Sequence, residues 1–125
     1  MGKITALSAQ VKNPDRVNVY VDGAFAVGLA LSLAVGLRLG QEISQSELEQ
    51  LDQRDEVHRA RERVLGLLAR RPRSSTEIRR YLRRQNLDDE SIQTVIDDLT
   101  EAKLIDDGAF AAFWVEQRET FRPRS

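Results

Sequence analysis

The sequence predicts a mainly α protein. An N-terminal β-hairpin unit covers residues 1–43, a three-helix, helix-turn-helix-like repeat covers 44–106, and residues 107–125 form the first helix of a second, tandem repeat. Three observations predict this order. Strand alternation surrounds an Asp-Gly pair near the start, apolar residues take up helical spacing from Ser44 onward, and the tetrapeptide Arg-Pro-Arg-Ser occurs twice.

The β unit is read from turn chemistry. "KITALSAQ" has strand composition, and Asn13 to Arg16 forms a turn through its Asn, Pro and Asp. Val17, Val19 and Val21 then alternate with Asn18 and Tyr20. Asp22-Gly23 supplies the positive φ values of a type I′ turn, and Phe25, Val27 and Leu29 resume the alternation. One face of this hairpin is apolar and must be covered, since an isolated hairpin is marginal in water. The apolar run from Leu29 predicts a short helix ending near Gly36, followed by a turn at Leu39 to Gln41.

Helical signals take over at Ser44, which forms a capping box with Glu47. The helix it opens runs to about Arg70, with a break near Asp52 to Asp55, and turns Val57, Ala60, Val64, Leu67 and Leu68 inward. Pro72 ends it. Ser74 caps the second helix with Glu77 reaching back, and Ile78, Tyr81 and Leu82 share one face. At about 100° per residue, Arg79, Arg80, Arg83 and Arg84 fall roughly 100° to 240° from Ile78, on the opposite side. A third helix starts at the Asp88-Asp89 cap and buries Ile92, Val95, Ile96 and Leu99. After the break at "LIDD", a fourth helix from about Asp107 places Phe110, Phe113, Trp114 and Phe121 on one side. The two copies of Arg-Pro-Arg-Ser, at 71–74 and 122–125, lie 51 residues apart at helix ends. They predict a helical array with a unit of about fifty residues, of which this chain is the front portion.

Charge is strongly segregated beneath a net value of −1. Residues 1–53 carry 4 basic and 6 acidic groups, residues 54–84 carry 11 and 4, and residues 85–125 carry 4 and 10, giving −2, +7 and −6. A basic and an acidic face are therefore presented separately. With no cysteine, the chain has no disulfide, thiolate metal site or thiol nucleophile, which fits a cytoplasmic protein. No signal peptide or membrane-length apolar run is present.

Catalytic chemistry finds no foothold. The sequence has no phosphate-binding glycine loop and no zinc motif, and its lone histidine, His58, reads as a surface residue. The carboxylate pairs Asp88-Asp89 and Asp106-Asp107 read as caps, and adjacent residues such as Asp97-Asp98 diverge on a helix. Neither an enzyme, a cofactor, a small-molecule substrate nor a metal is expected. The remaining candidate is the arginine cluster at Arg70, Arg71, Arg73, Arg79, Arg80, Arg83 and Arg84, with Glu77 the one nearby carboxylate. Its pairs Arg79/Arg83 and Arg80/Arg84 repel at i,i+4 by a few tenths of a kcal/mol each. That arrangement suits an external anionic partner, against the alternative of a solvated face. The third helix, with Asp89, Glu90, Asp97, Asp98 and Glu101, would be repelled by phosphate, so base reading by a helix-turn-helix is not expected.

The segments "NPDRVNVYVDGAFAVGL", "RARERVLGLLARRPRSSTEIRRYLRR" and "VIDDLTEAKLIDDGAFAAFWV", in that order, resemble the RecX family of recombination regulators. The resemblance implies a cytoplasmic bacterial protein of tandem three-helix repeats. Such a protein binds the RecA nucleoprotein filament, lies in its groove near the DNA, and restrains ATP hydrolysis and strand exchange in DNA repair and the SOS response. It carries the family's basic helix surface onto the seven arginines named above and assigns a packing role to Phe110, Phe113 and Trp114. The family often has glycine where this chain has Lys103. The alternative is a helical module that binds single-stranded or duplex nucleic acid nonspecifically.

Overall fold

The structure is a computed structural model that describes residues 2–108, 111, 112 and 115. The chain divides into two compact units, residues 1–58 and 59–125.

Unit 1 is built on a four-stranded antiparallel sheet of order β3-β2-β1-β4, formed by β1 (Gly2–Ala9), β2 (Arg16–Val21), β3 (Ala24–Ala30) and β4 (Glu42–Ile43). The hairpin expected from the sequence is thus the centre of a larger sheet. β1 flanks it and β4, only two residues long, extends it. The turn has the expected chemistry: Asp22 at φ 51° and Gly23 at φ 82° supply the two positive φ values of a type I′ turn. Ile4, Val19, Val27, Leu29 and Ile43 form the buried core, onto which Leu48 and Leu51 of the helix α2 (Gln45–Leu68) pack. Between β3 and this helix lie the one-turn helix α1 (Leu31–Ala34), a turn with Gly40 at φ 83°, and β4.

Phe25 departs from the expected alternation. The register steps from Val19↔Val27 to Tyr20↔Phe25, so β3 carries one extra residue, Ala26, against β2. A bulge of this kind moves every residue beyond it to the other face. Phe25 joins Tyr20, ring edge against ring face at 5.9 Å between centroids, and is 59% exposed.

The expected break at Asp52 to Asp55 is also absent, because α2 is continuous through it. Asp55 is fully buried. Its carboxylate accepts the Ala30 N–H at 2.8 Å and two guanidinium bonds from Arg16, at 2.8 and 3.3 Å, while Arg16 also donates to the Gly28 carbonyl at 3.2 Å. Ala30 and Gly28 belong to the strand at the end of the sheet. Their groups bonded by these side chains face away from β2, so one ion pair closes half of an edge that would otherwise offer unpaired backbone. The capping box at Ser44 forms in both directions, at 3.1 Å to the Glu47 N–H and 3.2 Å from the Ser44 N–H.

Unit 2 contains the C-terminal part of α2, then α3 (Ser75–Arg84) and α4 (Asp89–Glu101). Ala60, Val64, Ile78, Leu82, Ile92, Val95, Ile96 and Leu99 are buried. Val57, Leu67 and Leu68, expected in the inner stripe, are half-buried. Both α3 and α4 end in Schellman turns. Leu87 N–H bonds Leu82 O at 3.2 Å around Asn86 at φ 63°, and Leu104 N–H bonds Leu99 O at 2.8 Å around Lys103 at φ 60°. Lys103 therefore occupies the left-handed region that favours glycine. Lys103→Gly is expected to raise stability by about 0.5–1 kcal/mol, since relief of the left-handed penalty outweighs glycine's added chain entropy. Urea unfolding midpoints of the two proteins measure it.

Asp88 caps α4, accepting the Ser91 N–H at 3.0 Å. Hydrogen bonds from the Ser91 hydroxyl and then its N–H hold the Asp88 carboxyl below its ordinary value of 3.8. A depressed folded-state pKa contributes stability above the unfolded value that is lost as pH falls through the folded one. Asp88→Ala is thus expected to lower the melting temperature at pH 7, with the difference shrinking below about pH 3.8. Melts of both proteins across acid pH test the sign.

Residues Asp107, Gly108, Ala111, Ala112 and Val115 are helical. Phe110, Phe113, Trp114, Phe121 and the second Arg-Pro-Arg-Ser lie outside the described residues. Asp107 does more than open this segment: its carboxylate accepts both the N–H of Ser75 at 2.9 Å and its hydroxyl at 3.0 Å, at the first turn of α3.

Candidate functional site: the arginine surface of unit 2

α3 owes its position to its caps and its apolar seam. Ser74 accepts the Glu77 N–H at 3.1 Å, and Ile78 and Leu82 are buried. These contacts fix the rotation of the helix. Arg80, Arg83 and Arg84 are exposed and Arg79 is half-buried, as the helical spacing requires.

The seven candidate arginines fall into three groups. Arg71 and Arg73 are held by Glu77, at 3.0 and 3.6 Å, with all three side chains mostly buried. Glu77 was expected to reach back to Ser74. It turns to the two guanidinium groups instead, because they hold two positive charges where the Ser74 N–H offers a single neutral bond. Arg83 lies 3.5 Å from Asp89, and both side chains are largely in water, where such a pair contributes little. Arg70, Arg79, Arg80 and Arg84 make no ion pair among the described residues.

The neighbouring helix has the opposite character. α4 carries Asp89, Glu90, Asp97, Asp98 and Glu101 and no basic residue. A hollow of about 590 Å³ beside Arg79 is lined also by Lys103, Asp106 and Asp107, a mixed set with no preference for one sign of ligand. Among the described residues no cluster of three or more side chains could hold a metal ion, and no helix is long and apolar enough to cross a membrane. His58, read as a surface residue, is half-buried.

Sequence reasoning missed the Arg16–Asp55 pair. The signal was present: Leu48, Leu51 and Asp55 follow the i, i+3, i+7 spacing of an inward stripe, so Asp55 had to be buried and to need a cation.

A small antiparallel sheet followed by helices, with α3 basic on its outer side and α4 acidic, defines the class as a mainly α protein with an N-terminal sheet. Residues 2–44 match the RecX regulatory protein N-terminal domain and residues 60–99 match the RecX first three-helix domain. The chain belongs to the RecX family. It is 30% identical over 120 residues to a regulatory protein RecX of Clostridium tetani, covering 94% of this chain and 56% of that protein. It is 32% identical over 117 residues to one of Bacillus licheniformis, covering 92% and 44%. A crystal structure of a regulatory protein RecX superposes with a TM-score of 0.83 at 28% identity, over 97% of this chain and 60% of that one. The chain spans about half the length of the curated relatives it matches.

Proposed function

We propose that this chain binds the RecA nucleoprotein filament in the bacterial cytoplasm and restrains its ATPase and strand-exchange activity, by noncovalent wedging rather than catalysis. The observation that carries the reading is the set of arginines on the outer side of α3 that make no ion pair among the described residues, Arg79, Arg80 and Arg84, with Arg70 in the turn after α2. Unpaired charges clustered on one rigid helix are stabilised when an anionic partner approaches. The RecX names of its relatives support the identity of that partner. In this reading residues 44–106 are the first three-helix repeat and residues 107–125 the first helix of the next.

A pull-down with preformed filaments, scored together with their ATP hydrolysis, tests the proposal. Retention of the chain and slowed hydrolysis are expected; no retention at low salt overturns it. The second reading, a nonspecific nucleic-acid module, is favoured by the same free guanidinium groups and makes a different prediction. Binding to bare single-stranded or duplex DNA would fall steeply with salt, each phosphate contact adding about 0.7 to 0.9 to the log-log slope. Because α4 presents five carboxylates beside the stripe, weak binding to bare DNA alongside tight binding to the filament is the expected pattern.

A further inference from the structure

The Arg16–Asp55 pair closes only one half of the outer edge of β3. Beyond Gly28, toward the hairpin turn, Ala24, Phe25 and Ala26 are exposed and, among the described residues, make no hydrogen bond outside the strand pairing. Here the edge and the first turns of α2 enclose an open groove of about 540 Å³. One wall is β3 from Ala24 to Gly28, and the other is Gln45, Leu48, Glu49 and Asp52. Asp55, further along the same helix, bonds the far end of the same edge.

We infer that this groove takes an extended, basic segment of a partner protein, which adds to β3 as a fifth strand. Three features carry the inference. The register places Phe25 opposite Tyr20 between the bonded turn pair and Val19↔Val27, so the bulge leaves backbone groups of Phe25 and Ala26 turned outward for an incoming strand. Val27 and Leu48 supply an apolar floor that accepts one small side chain. Glu49 and Asp52 sit one helical turn apart on the opposite wall, both exposed and without a hydrogen bond or ion pair among the described residues, so they favour lysine or arginine on the guest.

The same carboxylates argue against the other occupants. A second copy pairing edge to edge would bring its own Glu49 and Asp52 against these two, and like charges set face to face are repelled. A nucleic acid would meet the same repulsion. The open stretch from Ala24 to Val27 spans about 13 Å at roughly 3.3 Å per residue, so the guest contributes four or five residues. The groove lies in unit 1 and is independent of the arginine surface of unit 2, so either reading can fail without the other.

The test uses the full chain, ¹⁵N-labelled, titrated with a blocked heptapeptide of sequence Gly-Lys-Val-Lys-Val-Lys-Gly and with its counterpart bearing glutamate for lysine. The lysine peptide is expected to shift the amide signals of Phe25, Ala26 and Leu48 and to bind at least tenfold more tightly than the glutamate peptide. Glu49→Lys combined with Asp52→Lys should reverse that preference while leaving the signals of the sheet core in place, because neither side chain is part of it. Equal affinity for both peptides, shifts confined to α4 around Asp97 and Glu101, no binding at millimolar peptide, or a dimer formed through β3 would each overturn the inference.

Discussion

Reversing Arg79, Arg80 and Arg84 to glutamate is expected to abolish capture by RecA filaments while leaving the circular dichroism spectrum unchanged. Each exposed contact to an anionic partner is worth up to about 1 kcal/mol. Loss of three of them costs up to about 3 kcal/mol, roughly a hundredfold in affinity, and the reversed charges add repulsion to that. The fold tolerates the change because the helix is set by Ile78, Leu82, Ser74 and the Asp107–Ser75 bonds, none of which the substitutions touch. Glutamate at 79 also converts a repelling i,i+4 pair with Arg83 into an attracting one.

The contrast with Arg71 and Arg73 separates binding from stability. These two hold Glu77, so Arg71→Ala combined with Arg73→Ala should lower the unfolding free energy by about 1 kcal/mol and leave filament affinity within about twofold. Pull-downs measure one quantity and urea titrations the other. If the triple reversal binds as the parent does, the stripe is only a solvated surface. If the Arg71 and Arg73 changes abolish binding without altering stability, the sorting of the seven arginines by their carboxylate partners is wrong.

Much of this architecture was legible because it is dictated locally. Asp22-Gly23 requires the φ values it adopts, Ser44, Ser74 and Asp88 each find the N–H three residues on, and the seams of α3 and α4 follow from spacing alone. What escaped depends on contacts distant in sequence. The extra residue at Ala26 exists only relative to β2, so alternation read along β3 placed Phe25 on the wrong face. β4 is two residues long, too short to show a period, and is a strand only because Gly2 and Lys3 pair with it. For the candidate site, the spacing placed the arginines of α3 on one flank but could not divide the seven. The division turns on where Glu77 points, and the sequence offered it several partners within reach: Arg80 at i,i+3 and the Ser74 N–H, besides the Arg71 and Arg73 it takes.

Asp55 carries the largest single energy expected in the chain. It lies in unit 1, far from the arginine surface in sequence, so its effect falls on stability. Removing the carboxylate by Asp55→Ala leaves the Ala30 N–H buried with no acceptor from that side chain and strands Arg16, whose side chain is only 20% exposed. Breaking a buried pair by deleting one partner costs about 3–5 kcal/mol, because the uncompensated charge stays behind. Against a typical total of about 5–15 kcal/mol, that loss would raise the unfolded population by roughly a hundredfold or more. Asp55→Asn should cost less, about 1–3 kcal/mol, since its side-chain oxygen can still accept from Ala30 while the charge is lost. Arg16→Met combined with Asp55→Leu should fall between parent and Asp55→Ala: no charge is left alone, but the Ala30 N–H and Gly28 carbonyl lose their side-chain partners. Hydrogen exchange at the Ala30 and Leu29 amides reads unit 1 directly, and the order parent, Asn, Ala is required. An Asp55→Ala protein that exchanges these amides as slowly as the parent would show that the edge of β3 is held by the packing of Leu48 and Leu51 alone, with the ion pair merely resting on it.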